Sequence, residues 1–346
     1  MYSYSSDNMN IYERMWNLIN SRIAEMYHES IYVREQQVFN QLYGKDFEKI
    51  ANSAFLFVNT NPLYDFPRPT LPKIIPVGGI NVKKPKPLSK EWLSILEQRL
   101  YAITVAFGSA AKSSAMPKQM KQALLKAFAQ FPNVTFVWRY EKAENIAKGY
   151  SNVVVADWIP QNDLLNDDRV IGAVTHCGIN TIHEGVQAGK PLILVPLFAE
   201  QSRNAKMVER AKIGIILEKS DLYYETKIAA FVKVCISTFF SMRENAKQLS
   251  LMVQSNPEDV HQKVVQYVEF AAKFNGLPLL DNSGRKQSVF VYYFLDIALL
   301  FVMIYIVLLA FILYLCKGCI VSLLGLEIRC RRFHKKHLVK INKKQE

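Results

Sequence analysis

The sequence predicts an α/β protein: a doubly wound, Rossmann-like parallel sheet, followed by a single C-terminal transmembrane helix. Three observations predict it. From Leu100 onward, short apolar and β-branched runs alternate with helical stretches, the pattern of parallel strands covered on both faces. The conspicuous glycines and polar residues stand just after those runs, where an open α/β sheet places its ligand. Residues Val289–Leu315 are almost wholly apolar and long enough to cross a ~30 Å hydrocarbon core, with Asp296 the single charge.

Composition bounds the function. With 346 residues, half of them hydrophobic, the chain can build one large or two modest domains around a packed core. The net charge is +13, and +7 of it lies in Lys317–Glu346. The remaining charge is dispersed, with no basic stripe interleaved with aromatics, so a nucleic-acid binder is not indicated. Five cysteines are present, and only Cys177 and Cys235 precede the apolar segment. That gives no disulfide framework. Cys316-Lys-Gly-Cys319 has CxxC spacing but lacks a second ligand pair, so no metal site is expected. Small apolar residues at a helix end are the plain reading there, and juxtamembrane acylation is the alternative.

Taken in order, residues 9–50 read as helices, with MNIYERMWNLI and REQQVFNQLYG mixing apolar and charged positions. Ala54–Asn59 reads as a short buried strand. Asn61–Pro87 holds seven of the 14 prolines and reads as a linker. LYAITVAFGS, VTFVWRY, NVVVADW, VIGAVTH, PLILVPL and IGIIL read as strands. Helices are expected over Pro117–Gln130, Asn180–Ala188, Gln201–Ala211 and through residues 222–274. The expected division is 1–85 as the end of a preceding domain plus linker, 86–274 as the sheet domain, 289–315 as the span and 316–346 as a basic tail.

The basic residues after the span, Arg329 to Lys340 among them, should stay cytosolic, leaving the body lumenal. Lys343-Lys344, third and fourth from the C-terminus, resemble a dilysine retrieval signal of endoplasmic-reticulum membrane proteins. The N-terminus has no signal-type apolar core, so a lumenal body requires an upstream segment, and the expectation is that one precedes Met1. The sequon Asn133-Val-Thr135 suits a lumenal body.

The candidate site gathers on three strand ends. Thr175-His176-Cys-Gly178-Ile-Asn180-Thr181 leads from one strand into a helix. Free N–H groups and the positive dipole end there suit a diphosphate. Gly178 allows close backbone approach, His176 can donate to phosphate, and Glu184, one turn on, can accept from ribose hydroxyls. Trp158 offers a stacking face for a base. Glu200-Gln201 opens a further helix, placed to hold sugar hydroxyls. Singly, each has a plainer reading: core tryptophan, structural histidine, helix cap, surface pair. A dinucleotide GxGxxG fingerprint is missing.

In this order the residues resemble the nucleotide-sugar signature of the UDP-glycosyltransferases. His-Cys-Gly-Ile-Asn-Thr-Ile-His-Glu is similar to that family's motif nearly letter for letter. The upstream Trp158 and Gln161, the Gly-Lys-Pro at Gly189, Val77-Gly78-Gly79-Ile80 and Phe107-Gly108-Ser109 are further landmarks. The single span and dilysine tail point to the animal glucuronosyltransferase branch. The resemblance implies the C-terminal, donor-binding domain of a GT-B fold. It places Trp158 and Gln161 on uracil and ribose. Ser109, Thr175, His176, Gly178, Asn180 and Thr181 fall at or beside the diphosphate, Glu184 on ribose, and Glu200 with Gln201 on the sugar.

The implied reaction is inverting transfer from a UDP-sugar co-substrate to a small lipophilic acceptor, without cofactor or metal. Glu200 departs from the family's usual Asp, and His183 is expected to be structural. Family members are considerably longer, and their first half supplies the acceptor site and a catalytic His held by an Asp. This chain is therefore expected to keep the donor site without the general base. His28, in a charged helical stretch, is not cast as that base. Two alternatives follow: a donor-binding subunit that needs a partner chain, or a non-catalytic isoform that pairs with full-length relatives.

Overall fold

The computed structural model describes residues 9–44, 53–142, 145–237, 239–274 and 277–342. Contacts divide the chain into two compact units, Met1–Leu280 and Asp281–Glu346.

The first unit opens with α1 (Ile11–Tyr43). Asn10 starts it: its side chain accepts from the Tyr12 and Glu13 N–H groups, and the Glu13 carboxylate accepts from the Asn10 N–H. That reciprocal pair satisfies donors a helix start leaves orphaned. No Gly or Pro interrupts the run, so one helix forms where the sequence suggested several, and none of its residues is buried.

Two short strands, β1 (Leu56–Val58) and β2 (Ile74–Pro76), then pair in parallel with Leu56 opposite Ile74. β1 is shorter and less buried than expected, and Leu56 is exposed, because a two-stranded sheet lacks the covering layers that bury a central strand. β2 lies inside the proline-rich segment that read as linker; Pro76 ends it, where a missing N–H is tolerated.

The main sheet follows. α2 (Lys90–Glu97), not anticipated from the sequence, is capped by Ser89 and buries Leu96. Then come β3 (Tyr101–Ala106), α3 (Lys118–Ala129), β4 (Val134–Arg139), β5 (Val153–Ala156), the short α4 (Gln161–Leu165), β6 (Val170–Thr175) and α5 (Ile179–Gln187). β7 (Leu192–Leu194), α6 (Gln201–Arg210), β8 (Gly214–Ile216), α7 (Glu225–Ser237), α8 (Phe239–Gln254) and α9 (Val260–Phe274) complete it. The order is β5-β4-β3-β6-β7-β8, with every pairing parallel. This is the expected doubly wound sheet, and the order reverses between β3 and β6, which fixes the crevice there.

Two apolar clusters sandwich the sheet. Alternate strand residues divide between them, as the pleat requires. Ile103, Val105, Phe136 and Trp138 face α3 and α7, whereas Ala102, Ala106, Leu192 and Leu194 face α2, α4, α5 and α6. Phe128 stacks on Phe136 with centroids 4.0 Å apart and rings 9° from parallel. The buried Trp138 indole donates to Ser113 Oγ at 3.2 Å.

The second unit holds α10 (Val289–Tyr292) and α11 (Leu295–Asn342). The expected unbroken helix over 289–315 is thus corrected: Phe294 adopts a left-handed φ of 55° and divides it. The stretch long and apolar enough to cross a membrane is Leu295–Lys317. Asp296 falls in the first turn of α11, where free N–H groups favour a carboxylate. The tail expected from 316 continues the helix to Asn342. Lys343 and Lys344 lie outside the described residues.

Phe136→Ala should lower the stability of the sheet unit by ~3–5 kcal/mol, the cost of emptying an aromatic core position. Denaturant unfolding in detergent, followed by tryptophan fluorescence, measures it. A loss below about 1 kcal/mol would mean that this ring is not in a packed core.

Candidate active site

Beyond the C-terminal ends of β3 and β6 lies a cleft of about 670 Å³, within the size range of small-molecule sites. His176, the residue after β6, lines it. A side-chain carbon added at Gly108 would come within 2.5 Å of the His176 ring, and one at Gly178 within 2.7 Å. Gly108 also has a φ of 84°, a conformation that disfavours any side chain. The imidazole therefore fits only because both flanking positions are glycine. Burial pushes its pKa below the ordinary histidine value, against the opposing pull of the Glu200 carboxylate. The ring is neutral at physiological pH and has one N–H to donate. Its Nδ1 is buried with no partner among the described residues.

Beside it, α5 begins at Gly178 without a side-chain cap. The first intrahelical bond runs from Ile182 N to Gly178 O, so the amides of Ile179, Asn180 and Thr181 have no acceptor within the helix. Asn180 and Thr181 line the cleft. One turn on, Glu184 Oε2 accepts from Gln161 Nε2 at 2.6 Å, and Thr181 Oγ1 accepts from the same nitrogen at 3.2 Å. Burial pushes the Glu184 carboxyl up, and the Gln161 bond acts against it. Trp158 is 67% exposed at the cleft edge, with the Arg139 guanidinium 4.8 Å from its ring centroid. Ser109 and Glu200 complete the set of sequence-identified residues in the lining.

Two of the eleven residues singled out do not line the cleft. Thr175 is fully buried; it is the last residue of β6, and its Oγ1 accepts from Cys177 N at 3.3 Å. Gln201 is 3% exposed, and its Oε1 accepts from Leu197 N at 2.8 Å and Phe198 N at 3.1 Å. These side chains hold the loops after β6 and β7 rather than facing the opening. The turn after β6 is further fixed by Asn204 Nδ2, which donates to Cys177 O at 3.1 Å while Cys177 holds a φ of 67°.

Sequence reasoning missed Arg139 and the lysines Lys83, Lys84 and Lys86, which also line the cleft. Arg139 had a signal, since it ends a strand at the ligand edge. The lysines did not: the linker is held at the cleft by contacts far along the chain, Asn162 Nδ2 donating to Lys83 O at 2.9 Å and Asp163 Oδ1 accepting from Lys86 N at 2.8 Å. Among the described residues, no group of three or more His, Cys, Asp or Glu side chains is placed to hold a metal ion. His183 is buried away from the cleft, paired through Nδ1 with the Tyr64 hydroxyl, and burial lowers its pKa to about 4.

Gly108→Ala should displace the His176 ring and strain the backbone together. A shift of the His176 ring resonances in NMR, with the fold retained, is the expected result; unchanged resonances would show that the ring is not confined by Gly108. The His183 site predicts a pH effect. The unfolded chain takes a proton near the ordinary value of 6.5, whereas the folded chain refuses it until about pH 4. Stability is therefore present above that window and lost as pH falls through it, by on the order of 3 kcal/mol at full extent. His183→Gln should flatten this dependence between pH 7 and 4.5, and an equal acid loss in the variant would place its source elsewhere.

A family model described as UDP-glucoronosyl and UDP-glucosyl transferase matches residues 1–331. Among curated relatives, putative UDP-glucuronosyltransferase ugt-47 of Caenorhabditis briggsae is 29% identical over 316 residues, covering 87% of this chain and 58% of the relative. UDP-glucuronosyltransferase 1A1 of Mus musculus is 26% identical over 342 residues, covering 96% and 62%. The chain thus spans less than two thirds of the length of either. Os79 from O. sativa, solved in complex with U2F and trichothecene, superposes with a TM-score of 0.52 at 15% identity over 70% of this chain and 60% of that one. The glycotransferase of kitacinnamycin gives 0.50 at 17% identity over 70% and 63%. These two share the fold.

Proposed function

This chain belongs to the UDP-glucuronosyl and UDP-glucosyl transferase family, and we propose that it is the donor-binding part of a glucuronosyltransferase that acts on small lipophilic hydroxyl compounds. The uncapped start of α5 beside a neutral, glycine-bracketed His176 carries the reading. Helix N-termini bind anions through free N–H groups and the dipole. The diphosphate of a UDP-sugar lies there, against Gly178, Asn180, Thr181, His176 and Ser109. Uracil stacks on Trp158, the ribose hydroxyls meet Glu184 and Gln161, and the sugar extends toward Glu200.

In the reaction, an acceptor hydroxyl attacks C1 of the sugar from the face opposite the diphosphate, and the C1–O bond to phosphate breaks with inversion. The hydroxyl proton passes to a base outside the set assembled in the cleft. UDP leaves with an additional negative charge, and the fixed α5 amides and the His176 N–H are placed to stabilise it without reorganisation. Nothing in this scheme requires a cofactor or a metal.

Glucuronate rather than glucose is supported by two observations. The relatives reported above are named glucuronosyltransferases, and Lys83, Lys84, Lys86 and Arg139 give the cleft a cationic border suited to an acid sugar. Residues 1–85 are read as the end of an acceptor-binding domain. Leu295–Lys317 is read as a single span of the endoplasmic-reticulum membrane, with the sheet unit lumenal and the basic end cytosolic.

Asn180→Ala and His176→Ala should each weaken UDP binding by ~1–3 kcal/mol, the range for a charge-assisted hydrogen bond. Calorimetry on the full chain in detergent measures this, and unchanged affinity in both variants removes the site assignment. Competition between UDP-glucuronate and UDP-glucose tests the sugar: preference for the glucose donor would overturn the glucuronate reading.

A further inference from the structure

The short segment between β1 and β2 reaches the donor site through one side chain. Asn59 Nδ2 donates to Asn180 Oδ1 at 3.0 Å, while Asn59 Oδ1 accepts from the Gly79 backbone N–H at 3.3 Å. We infer that Asn59 is a positioning residue that fixes which end of the Asn180 amide is offered to a diphosphate. This rests on the reading of the α5 start as the diphosphate site.

The polarity follows from elementary hydrogen bonding. A backbone N–H can only donate, so the group of Asn59 facing Gly79 must be its carbonyl oxygen. The other end of Asn59, its amino group, then faces Asn180 and can only donate. Asn180 must answer with its own carbonyl oxygen, which leaves its amino group for the cleft it lines. Among the described residues, nothing accepts from that amino group. The result is a one-way chain of amides: Gly79 N–H to Asn59, Asn59 to Asn180, and Asn180 to an anion. Reversed, Asn180 would present an oxygen to a phosphate oxygen, and the contact would be repulsive.

The Asn59 backbone is held firmly enough to carry this role. Val77 N donates to Val58 O at 2.8 Å and Gly78 N donates to Thr60 O at 2.9 Å, one tie on each side of it. Gly78 lies so close to the Thr60 backbone that an added side-chain carbon would stand 2.4 Å from it. The same segment is tied to the two helices whose starts border the cleft: the Tyr64 hydroxyl pairs with His183 on α5, and Asp65 pairs with Arg203 on α6. A segment outside the main sheet thus sets the orientation of a group inside the donor site.

The test compares UDP with uridine, which lacks the diphosphate, by calorimetry on the full chain in detergent. Asn59→Ala should weaken UDP about tenfold, the loss of one oriented hydrogen bond, and leave uridine unchanged. Asn59→Asp, which still accepts from Gly79 but cannot donate, should weaken UDP further, because the Asn180 amino group turns toward the new carboxylate. In an Asn180→Ala background, Asn59→Ala should have no additional effect. A merely structural role would weaken UDP and uridine together, and that result overturns the inference. Unchanged UDP affinity in both Asn59 variants, or fully multiplicative losses with Asn180→Ala, overturns it as well. Failure of the unaltered chain to bind UDP at all is a different outcome, and it removes the diphosphate site along with this inference.

Discussion

Everything in the cleft depends on a helix start left open at the point where the strand order reverses. β3 and β6 are neighbours whose chains depart in opposite directions, so no covering helix closes the space above them. α5 fills the edge of that space with its N-terminus, and Gly178 gives it no side-chain cap. An uncapped start costs stability, since three amides have no acceptor within the helix and no side chain caps them. Water in the open cleft can accept from them, and an anionic ligand can do so with charge assistance. The same demand reaches back to β3: Gly108 must be free of a side chain, or the His176 ring cannot stand between the two turns.

Around this opening, buried side chains outside the cleft fix the loops that form it. Thr175, Gln201 and Asn204 bond to backbone groups in the turns after β6 and β7. Cys177 is held in a left-handed conformation that a non-glycine residue adopts at some strain. Turns tied in this way are fixed before any ligand arrives, which is what preorganised stabilisation of a leaving group requires. Gln161 shows the same economy from α4, bridging Thr181 and Glu184 on α5 through a single nitrogen.

The sheet was legible in the sequence because its strands are continuous apolar runs. A strand buried on both faces has no alternation to disguise it, and each run was found to within a few residues. α2 and β2 were not legible. α2 sets Trp92, Ile95 and Leu96 at helical spacing against the core, but it is only eight residues long and follows directly on the proline-rich segment, and β2 sits among the prolines that read as linker. The site was legible wherever a glycine or polar residue followed a strand. Thr175 and Gln201 carried the same signal but turned inward, because sequence places a residue at a strand end without fixing which way it points. Asn59 and the linker lysines left no mark, since their approach to the cleft depends on contacts with residues far along the chain. The division of the apolar segment at Phe294 was equally silent, for no Gly or Pro marks it.

The charges around the cleft divide into two kinds with different consequences. The α5 amides, Asn180 and the neutral His176 lie against the proposed diphosphate and carry no net charge, so their effect depends on orientation and falls steeply with distance. Lys83, Lys84, Lys86 and Arg139 carry full charges at the border, where water and salt screen them. Charges so placed favour an anion at the border whether approaching or bound, with little demand on orientation. A cationic His176 would blur this division by holding the diphosphate tightly before the bond breaks, and interactions equally strong in ground and transition states add nothing to turnover. Burial keeps the ring neutral, against the pull of the Glu200 carboxylate. The packing that holds the imidazole thereby also sets its charge and, in the proposed reaction, leaves the stronger attraction for the moment at which a departing UDP gains its negative charge.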